Sequence, residues 1–153
     1  MKRYTQEQLN EILKKHKKWL DNEDGGERAD LKCADLKYAD LTYANLTYAN
    51  LKCADLTYAD LTCADLTYAN LTCADLDFSS FPLWRDSLKA QLDDRLIIQL
   101  LYHLLSAAKY SKNISAEIKQ TLLCDDLICI ANKFHRANEC GMIKREESEC
   151  KNS

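Results

Sequence analysis

Ten uninterrupted copies of a five-residue word, Ala-(Asp/Asn)-Leu-x-x, run from Ala29 to Phe78. An α-helix turns about 100° per residue, so a five-residue step rotates each leucine by roughly 140° and spreads the leucines around the whole helix. A straight β-strand fails as well, because its side chains alternate between two faces and an odd repeat sends successive leucines to opposite faces. The repeat therefore predicts a coil in which the chain bends once per word, always toward the leucine.

Alanine and leucine lie two residues apart in each word, so they share the inner face of the coil, while the other positions face outward. The predicted structural core consists of the ten leucines of the words: Leu31, Leu36, Leu41, Leu46, Leu51, Leu56, Leu61, Leu66, Leu71 and Leu76. A coil this short buries too little apolar surface to offset the entropy of ordering it. The segments on either side are therefore expected to cover its ends.

The variable positions indicate how many words complete one turn of the coil. Offsetting the fifth position by four words gives four identities in six comparisons, whereas an offset of three words gives one in seven. The fourth position does not discriminate, and an offset of two words also matches fairly well. We interpret the pattern as four words per turn, so that residues i and i+20 stack about 4.8 Å apart as neighbouring strands. The predicted outward columns are Cys33, Cys53 and Cys73; Tyr38, Tyr58 and Phe78; Tyr48 and Tyr68; and Lys32 and Lys52.

The run A-D-L-K-C-A-D-L-K-Y-A-D-L-T-Y-A-N-L at residues 29–46 resembles the pentapeptide-repeat family. Flanking segments at residues 4–13, 16–20, 25–28, 81–84 and 131–136 resemble short pentapeptide-repeat proteins of bacteria and their phages. The resemblance implies a mainly β solenoid, a right-handed quadrilateral β-helix. Most such relatives have no assigned activity, and a few longer members inhibit a type II topoisomerase by mimicking DNA. With four words per turn, the ten words make about two and a half coils.

An amphipathic helix is predicted over residues 5–21. Thr5 and Gln8 fit a capping box, the apolar residues that follow have helical spacing, and Gly25-Gly26 ends the segment. We expect this helix to lie as a lid over the first turn of the coil. His16, on its apolar side, is interpreted as a packed, hydrogen-bonded residue and not as a ligand.

The C-terminal part is predicted to be helical. The second helix should run from about Ser87 to Tyr110, and residues 116–138 should form one long or two short helices after a cap at Ser115 or Asn113. These helices are expected to bury apolar faces against each other and against the far end of the coil. The second helix carries the stripe Leu88, Leu92, Leu96, Leu100, Leu104 and Ala108, and the third region carries Ile118, Leu122, Leu127, Ile130, Ala131 and Phe134.

Four regions follow from these patterns. Residues 1–27 are an N-terminal capping helix, 28–80 the β-helix, 81–144 a C-terminal helical segment and 145–153 a flexible tail. The net charge of −3 comes from the coil, because residues 29–78 hold eight aspartates and three lysines, a net −5, while each flank adds +1. This balance argues against direct nucleic-acid binding, which favours a basic face.

The N-terminus does not resemble a signal peptide, and the most apolar run, from Leu96 to Ala108, is too short to span a membrane. We therefore expect a cytoplasmic protein without a membrane segment. Its eight cysteines are expected to be reduced thiols in that compartment.

The candidate catalytic or metal-binding residues are few. Cys124, Cys129, His135 and Cys140 loosely resemble a zinc site, but helical residues five apart diverge by about 140°, so Cys124 and Cys129 should not converge. The three glycines leave no glycine-rich phosphate loop. We predict no enzyme activity, no cofactor and no metal.

The remaining prediction is a structural or protein-interaction role with an unknown protein partner. Its interaction face would be the outward rings Tyr38, Tyr43, Tyr48, Tyr58 and Tyr68, although stacked tyrosines also simply cover the corners of a coil. Homodimerisation through the C-terminal helices is a further expectation. The alternative is a DNA-mimic topoisomerase inhibitor, but two and a half turns make a rod of about 12 Å, against about 34 Å for one helical repeat of DNA.

Overall fold

The computed structural model describes residues 1–82 and 89–144 and divides the chain into two compact units, Met1–Asp93 and Asp94–Ser153. The first unit contains the repeat array, and the second is helical. In chain order the strands and helices are β1 (Lys2–Arg3), α1 (Gln6–Leu20), β2 (Ala34–Asp35), α2 (Asp94–Tyr110), α3 (Ala116–Leu122), α4 (Asp125–Ala131) and α5 (Ala137–Cys140).

Successive turns of the array pair through parallel β-bridges between residues twenty positions apart. Asp30 is bridged to Asn50, which is bridged in turn to Asn70. The same relation holds on the other sides of the coil, as for Asp35 and Asp55. One turn therefore takes four words. Each word contributes a single bridge and then turns, so the array is built of β-bridges and turns with few continuous strands.

The inside of the coil is lined by the alanines and leucines of the words. All ten leucines are at most 7% exposed. Leu31 and Leu51 lie in neighbouring turns, joined where the Leu31 amide donates to the Asn50 carbonyl at 2.8 Å, and both are fully buried. Eight of the ten alanines are buried as well, whereas Ala39 and Ala44 in the first turn are half-buried.

Each word bends at its fifth residue. The amide of Ala34 donates to the Leu31 carbonyl at 3.1 Å, which closes a four-residue turn, and Cys33 at the third place of that turn has a φ of 54°. A positive φ at this place is typical of a type II turn and favours glycine. All ten fifth residues adopt φ values of 54–61° although none is glycine: Cys33, Tyr38, Tyr43, Tyr48, Cys53, Tyr58, Cys63, Tyr68, Cys73 and Phe78.

The Asp or Asn of each word stabilises that bend. Its side-chain oxygen Oδ1 accepts a hydrogen bond from the amide two residues later, as Asp60 does from Thr62 at 2.9 Å and Asn45 from Thr47 at 3.1 Å. The bond is present in all ten words, at 2.9–3.3 Å. Asp and Asn are the side chains whose length suits this local bond, which explains why only these two occupy the position.

Helix α1 contacts the edge of the first turn through side chains that take the place of a preceding strand. Its predicted capping box is present. The carboxamide of Gln6 pairs with the Asp40 backbone, donating to its carbonyl at 2.8 Å and accepting from its amide at 3.2 Å. His16 is fully buried, and its Nδ1 accepts from the Ala29 amide at 3.1 Å. Its Nε2 therefore carries the proton and donates to the Thr47 carbonyl, also at 3.1 Å.

Two further segments complete this edge, and the sequence pattern indicated neither. Strand β1 pairs in parallel with β2, placing Arg3 beside Asp35. The Arg28 side chain donates from Nε to the Tyr48 carbonyl at 2.7 Å. After α1 the chain turns back through Gly26, where a Cβ would lie 2.4 Å from the Trp19 nitrogen, so only glycine fits.

The coil continues beyond the predicted end of the array. Ser80 is bridged to Asp60, and Gln91 is bridged to Asn70, with the Leu71 amide donating to the Gln91 carbonyl at 2.9 Å. The predicted end of the β-helix at residue 80 is therefore too early. The second helix begins at Asp94, and the first unit extends to Asp93 instead of residue 80. The predicted start at Ser87, with the stripe residue Leu88, lies outside the described residues.

In the helical unit, α2 packs against α4 and α3. Ser115 caps α3 as predicted, and residues 116–131 form two short helices. The core-facing side of α2 includes the buried Tyr102 and Leu105 and the half-buried Ile98 and Leu101. The buried core of this unit is Tyr102, Leu105, Leu123, Ile128, Ala131, Phe134, Ala137 and Ile143.

Three predicted core residues of the helical unit are exposed instead. Leu104 and Ile118 are each 53% exposed, and Ile130 is 41% exposed. The predicted α2 stripe advanced by four residues at each step, and each such step rotates about 40° around the helix. It therefore drifts away from any single face, whereas the core-facing residues follow the i, i+3, i+4, i+7 spacing. The predicted tail, residues 145–153, lies outside the described residues.

Candidate interaction site

Three aromatic rings stack along one corner of the coil, and we call Tyr38, Tyr58 and Phe78 the aromatic column. The Tyr38 and Tyr58 ring centroids are 5.1 Å apart with planes 7° apart, and those of Tyr58 and Phe78 are 4.7 Å apart, also at 7°. The three rings are 71%, 47% and 56% exposed. The three rings thus form a continuous exposed aromatic surface, and each ring is positioned by stacking on its neighbour.

The other predicted tyrosines are distributed over two further corners. Tyr48 and Tyr68 stack at 5.1 Å with planes 20° apart, and both are just under half exposed. Tyr43, 78% exposed, has no ring contact among the described residues, because Cys63 occupies the position twenty residues later. The predicted face is therefore split between corners. Phe78 belongs to the site although the set of candidate rings omitted it, and the twenty-residue spacing from Tyr58 is the signal that identifies it.

The stacking follows from the repeated backbone. Every fifth residue has nearly the same φ, so its side chain leaves the coil in the same direction as the residue one turn later. Offset or parallel stacking of aromatic pairs adds about 0.5–1.5 kcal/mol beyond the area they bury. The rings are consequently ordered before any partner arrives.

Carboxylates stack on a neighbouring side of the coil. Asp35, Asp55 and Asp75 are joined by successive β-bridges. Lys37 places its Nζ 3.1 Å from Asp55 Oδ2, and this contact raises the pKa of the lysine. Burial tends to raise the pKa of Asp55, but the hydrogen bonds from Thr57 and Lys37 lower it overall. The acidic row is thus partly neutralised by cations of the chain itself.

The bonds inside the words predict a dependence of stability on acid. Hydrogen bonds from Thr62 and Ser80 lower the pKa of Asp60, and those from Thr42 lower the pKa of Asp40. A carboxylate with a lowered pKa stabilises the fold above its unfolded value of about 3.9, and that contribution is lost as the pH falls through the folded pKa. We expect Asp40→Asn/Asp60→Asn to lose less stability than the wild type between about pH 5 and pH 2, measured by urea unfolding.

The chain itself supplies the control for this experiment. Asn45, Asn50 and Asn70 make the same bond without a titratable group, so the double Asn variant should keep both bonds and be less stable than the wild type at neutral pH only by the contribution of the two charges. Asp40→Ala/Asp60→Ala removes the bonds and should be less stable than the double Asn variant at every pH. Equal acid losses in the wild type and the Asn variant would contradict the assignment.

The described residues contain no group of three His, Cys, Asp or Glu side chains that converge on a metal. The four residues considered for zinc are dispersed: Cys124 precedes α4 as its N-cap, and Cys129 and Cys140 are exposed free thiols. Within residues 1–82 and 89–144, no helix has the length and apolar character needed to cross a membrane.

Residues 29–67 and 49–82 match the family model for pentapeptide repeats, with eight copies. A pentapeptide repeat protein from the cyanobacterium Cyanothece 51142 is 32% identical over 44% of this chain and 45% of that chain, with a TM-score of 0.32. This chain thus spans less than half of that relative. Another, from the Arabidopsis thaliana thylakoid lumen, is 24% identical over 63% of this chain and 78% of that chain, with a TM-score of 0.35. No curated protein matches the sequence.

The family match spans the whole array and extends to Pro82, in agreement with the bridge at Ser80. Residues 29–82 of this chain thus match the pentapeptide repeat family, whose members form right-handed β-helices and are in general non-enzymatic.

Proposed function

We propose that this chain is a non-enzymatic, cytoplasmic scaffold that binds another protein through the aromatic column. The β-helix would have about two and a half turns of words, since ten words are arranged four to a turn, with α1 as its N-terminal cap. The observation that carries the proposal is the stack of Tyr38, Tyr58 and Phe78, at 4.7–5.1 Å spacing and each about half exposed or more.

A fixed row of rings suits protein recognition for an energetic reason. Association is opposed by the ordering of interface side chains, at about 0.5–1.5 kcal/mol for each one immobilised. The stacked rings are already ordered, so a partner that covers them avoids part of this penalty. Aromatic residues also dominate the few positions that supply most of the binding energy in protein interfaces.

The role of α1 as a cap is supported by what it does at the coil edge. An open coil presents unpaired amide and carbonyl groups that invite end-to-end association. Gln6 pairs with one exposed backbone position, and His16 joins two others. Capped in this way, the coil presents its corners and sides to partners in place of that edge.

Cytoplasmic localisation and self-association are proposals with narrower support. The seven cysteines among the described residues are all free thiols, which is typical of a reducing compartment. The exposed Leu104 and Ile118 of the helical unit are the apolar residues through which we propose a homodimer. A monomer mass in light scattering at all working concentrations would contradict it.

The binding role is tested by comparing two tyrosine variants of the full chain. We expect Tyr58→Ala, which removes the middle ring of the aromatic column, to lose the partner captured from native cell extract by the wild type. Tyr43→Ala removes a more exposed tyrosine that stacks on no described ring, and it should retain that partner. Adding Tyr38→Ala to Tyr58→Ala removes a second ring of the aromatic column, and adding Tyr68→Ala tests whether the second tyrosine pair contributes.

Retention of the partner by Tyr58→Ala would contradict the proposal, provided both variants have wild-type thermal stability.

A second candidate, DNA mimicry directed at a type II topoisomerase, has the stacked carboxylates Asp35, Asp55 and Asp75 in its favour. The contacts of Lys37 and Arg3 with this row weaken that case. Inhibition of supercoiling by the wild-type protein at micromolar concentration would favour mimicry, and its absence would remove it.

A further inference from the structure

Three cysteines occupy a corner of the coil that neither the aromatic rings nor the stacked carboxylates use. Cys33, Cys53 and Cys73 are fifth residues of successive turns, and we call them the thiol column. All three are free thiols; Cys33 and Cys73 are exposed and Cys53 is half-buried. The Cys33 amide donates to the Lys52 carbonyl and the Cys53 amide to the Thr72 carbonyl, each at 2.9 Å, which keeps the three residues in register.

The spacing within the thiol column can be compared with that of the rings. Aromatic side chains at the same position of the word lie 4.7–5.1 Å apart in neighbouring turns. A disulfide needs Cβ atoms about 3.5–4.5 Å apart and side chains that turn toward each other. The φ values of Cys33, Cys53 and Cys73 agree within 5°, from 54° to 59°, so their side chains leave the coil in parallel. The spacing between turns is too wide for a disulfide, and the parallel side chains do not turn toward each other.

The same spacing suits two sulfurs on opposite sides of a metal ion. Two collinear metal–sulfur bonds of about 2.3 Å, the length in zinc thiolates, span about 4.6 Å. Soft thiolate ligands favour Cu(I), as they also favour zinc. Zinc, by contrast, takes four ligands in a tetrahedron, and no third ligand converges among the described residues.

We propose that the thiol column binds one soft monovalent cation, Cu(I) or its analogue Ag(I), in a linear site formed by Cys53 and either Cys33 or Cys73. Cys53 does not hold two cations at once, because a thiolate that bridges two metals is bent at sulfur and the three cysteines are stacked in one column. Binding is a ligand exchange without change of oxidation state: two thiols release two protons, and two thiolates with one monovalent cation leave a net charge of −1. Lys52 precedes Cys53 and offsets that charge.

The proton balance gives the binding a pH dependence. Because cation binding releases protons from the ligating thiols, affinity falls as the pH is lowered.

Silver is the probe for the test, because it binds as a monovalent ion and does not undergo redox chemistry with the thiols. Full-length protein with Cys124, Cys129, Cys140 and Cys150 replaced by Ser removes competing thiols, and a monothiol competitor ensures that only paired sulfurs retain metal. We expect native mass spectrometry to find about one silver ion on this protein and the ultraviolet thiolate–metal band to confirm sulfur ligation. Zinc added alone under the same conditions should not remain bound.

Cys63 provides a matched control, because it has the same place in the word, a φ of 57° and Tyr43 as its neighbour one turn earlier. We expect Cys63→Ser to keep the silver ion and Cys53→Ser to lose it, since the remaining sulfurs are then two turns, about 9.6 Å, apart. Circular dichroism melting confirms that both variants fold. The proposal is overturned if Cys53→Ser holds as much silver as Cys63→Ser, or if the unsubstituted thiol column holds none against the competitor.

Discussion

Leu51→Ala is expected to destabilise the first unit by about 2–5 kcal/mol, the cost of truncating a fully buried leucine when the surroundings cannot collapse. Leu51 is 0% exposed, and its turn lies between those of Leu31 and Leu71, which are also fully buried. The lining on both sides is held by backbone bonds between turns, such as Leu51 amide to Asn70 carbonyl at 2.9 Å. A cavity at this point therefore stays open. Thermal unfolding should shift down by on the order of 10 °C.

The control for Leu51→Ala is Lys52→Ala, one residue further along the same word. Lys52 is exposed, and its backbone carbonyl, which accepts from the Cys33 amide, is unaffected by the substitution. Surface substitutions of this kind usually change stability by less than about 0.5 kcal/mol. Comparable losses in the two variants would show that the leucines are not the principal support of the coil.

His16→Leu is expected to cost about 2–6 kcal/mol, because it leaves two buried backbone groups unpaired at about 1–3 kcal/mol each. The imidazole accepts from the Ala29 amide and donates to the Thr47 carbonyl, and leucine offers neither group. Leucine keeps much of the apolar volume, so the loss reports mainly on the hydrogen bonds. Lys14→Leu, on the exposed side of the same helix, is the matched control and should leave the unfolding midpoint in urea nearly unchanged.

The same histidine gives the first unit a pH dependence near neutrality. Burial lowers the pKa of His16, the bond to Thr47 partly opposes this, and the nearby Arg28 lowers the pKa further. Below about pH 6.5 the unfolded chain binds a proton that the folded chain does not, so stability falls as the pH drops through that value. His16→Leu should lack this slope. An identical pH profile for the two proteins would contradict the neutral, doubly bonded imidazole.

The features that depend on periodicity could be predicted from the sequence. The five-residue spacing identifies the inward leucines, the twenty-residue spacing places Tyr58 beside Tyr38, and Thr5 with Gln8 identifies the start of α1. The first two depend on a pattern that repeats along the chain, and the third depends on a pair of residues three positions apart. The prediction of stacked corners needed only the number of words per turn.

The features that depend on single long-range contacts could not be predicted from the sequence. Strand β1 is two residues long and has no pattern of its own, so its pairing with Ala34–Asp35 leaves no trace in composition. The return of the coil at Gln91 left a partial trace in the sequence, because Ala90-Gln91-Leu92 resembles the beginning of a word with Gln in place of Asp or Asn. This trace is missed because the nearby leucines are interpreted as the apolar stripe of a helix. The left-handed fifth residues were hidden because Tyr and Cys rarely adopt that backbone conformation.

The uniform backbone of the words implies that the surface can change independently of the interior. Duplicating one word within the array would preserve the leucine lining, yet it would advance every downstream residue by one corner. With the extra word placed after Tyr43, Tyr58 would move from above Tyr38 to above Tyr43, and Cys53 would lose its sulfur neighbour at Cys33. Duplicating four words would leave every alignment intact. Gain and loss of single words is thus a genetic route to new recognition patterns on a preserved fold.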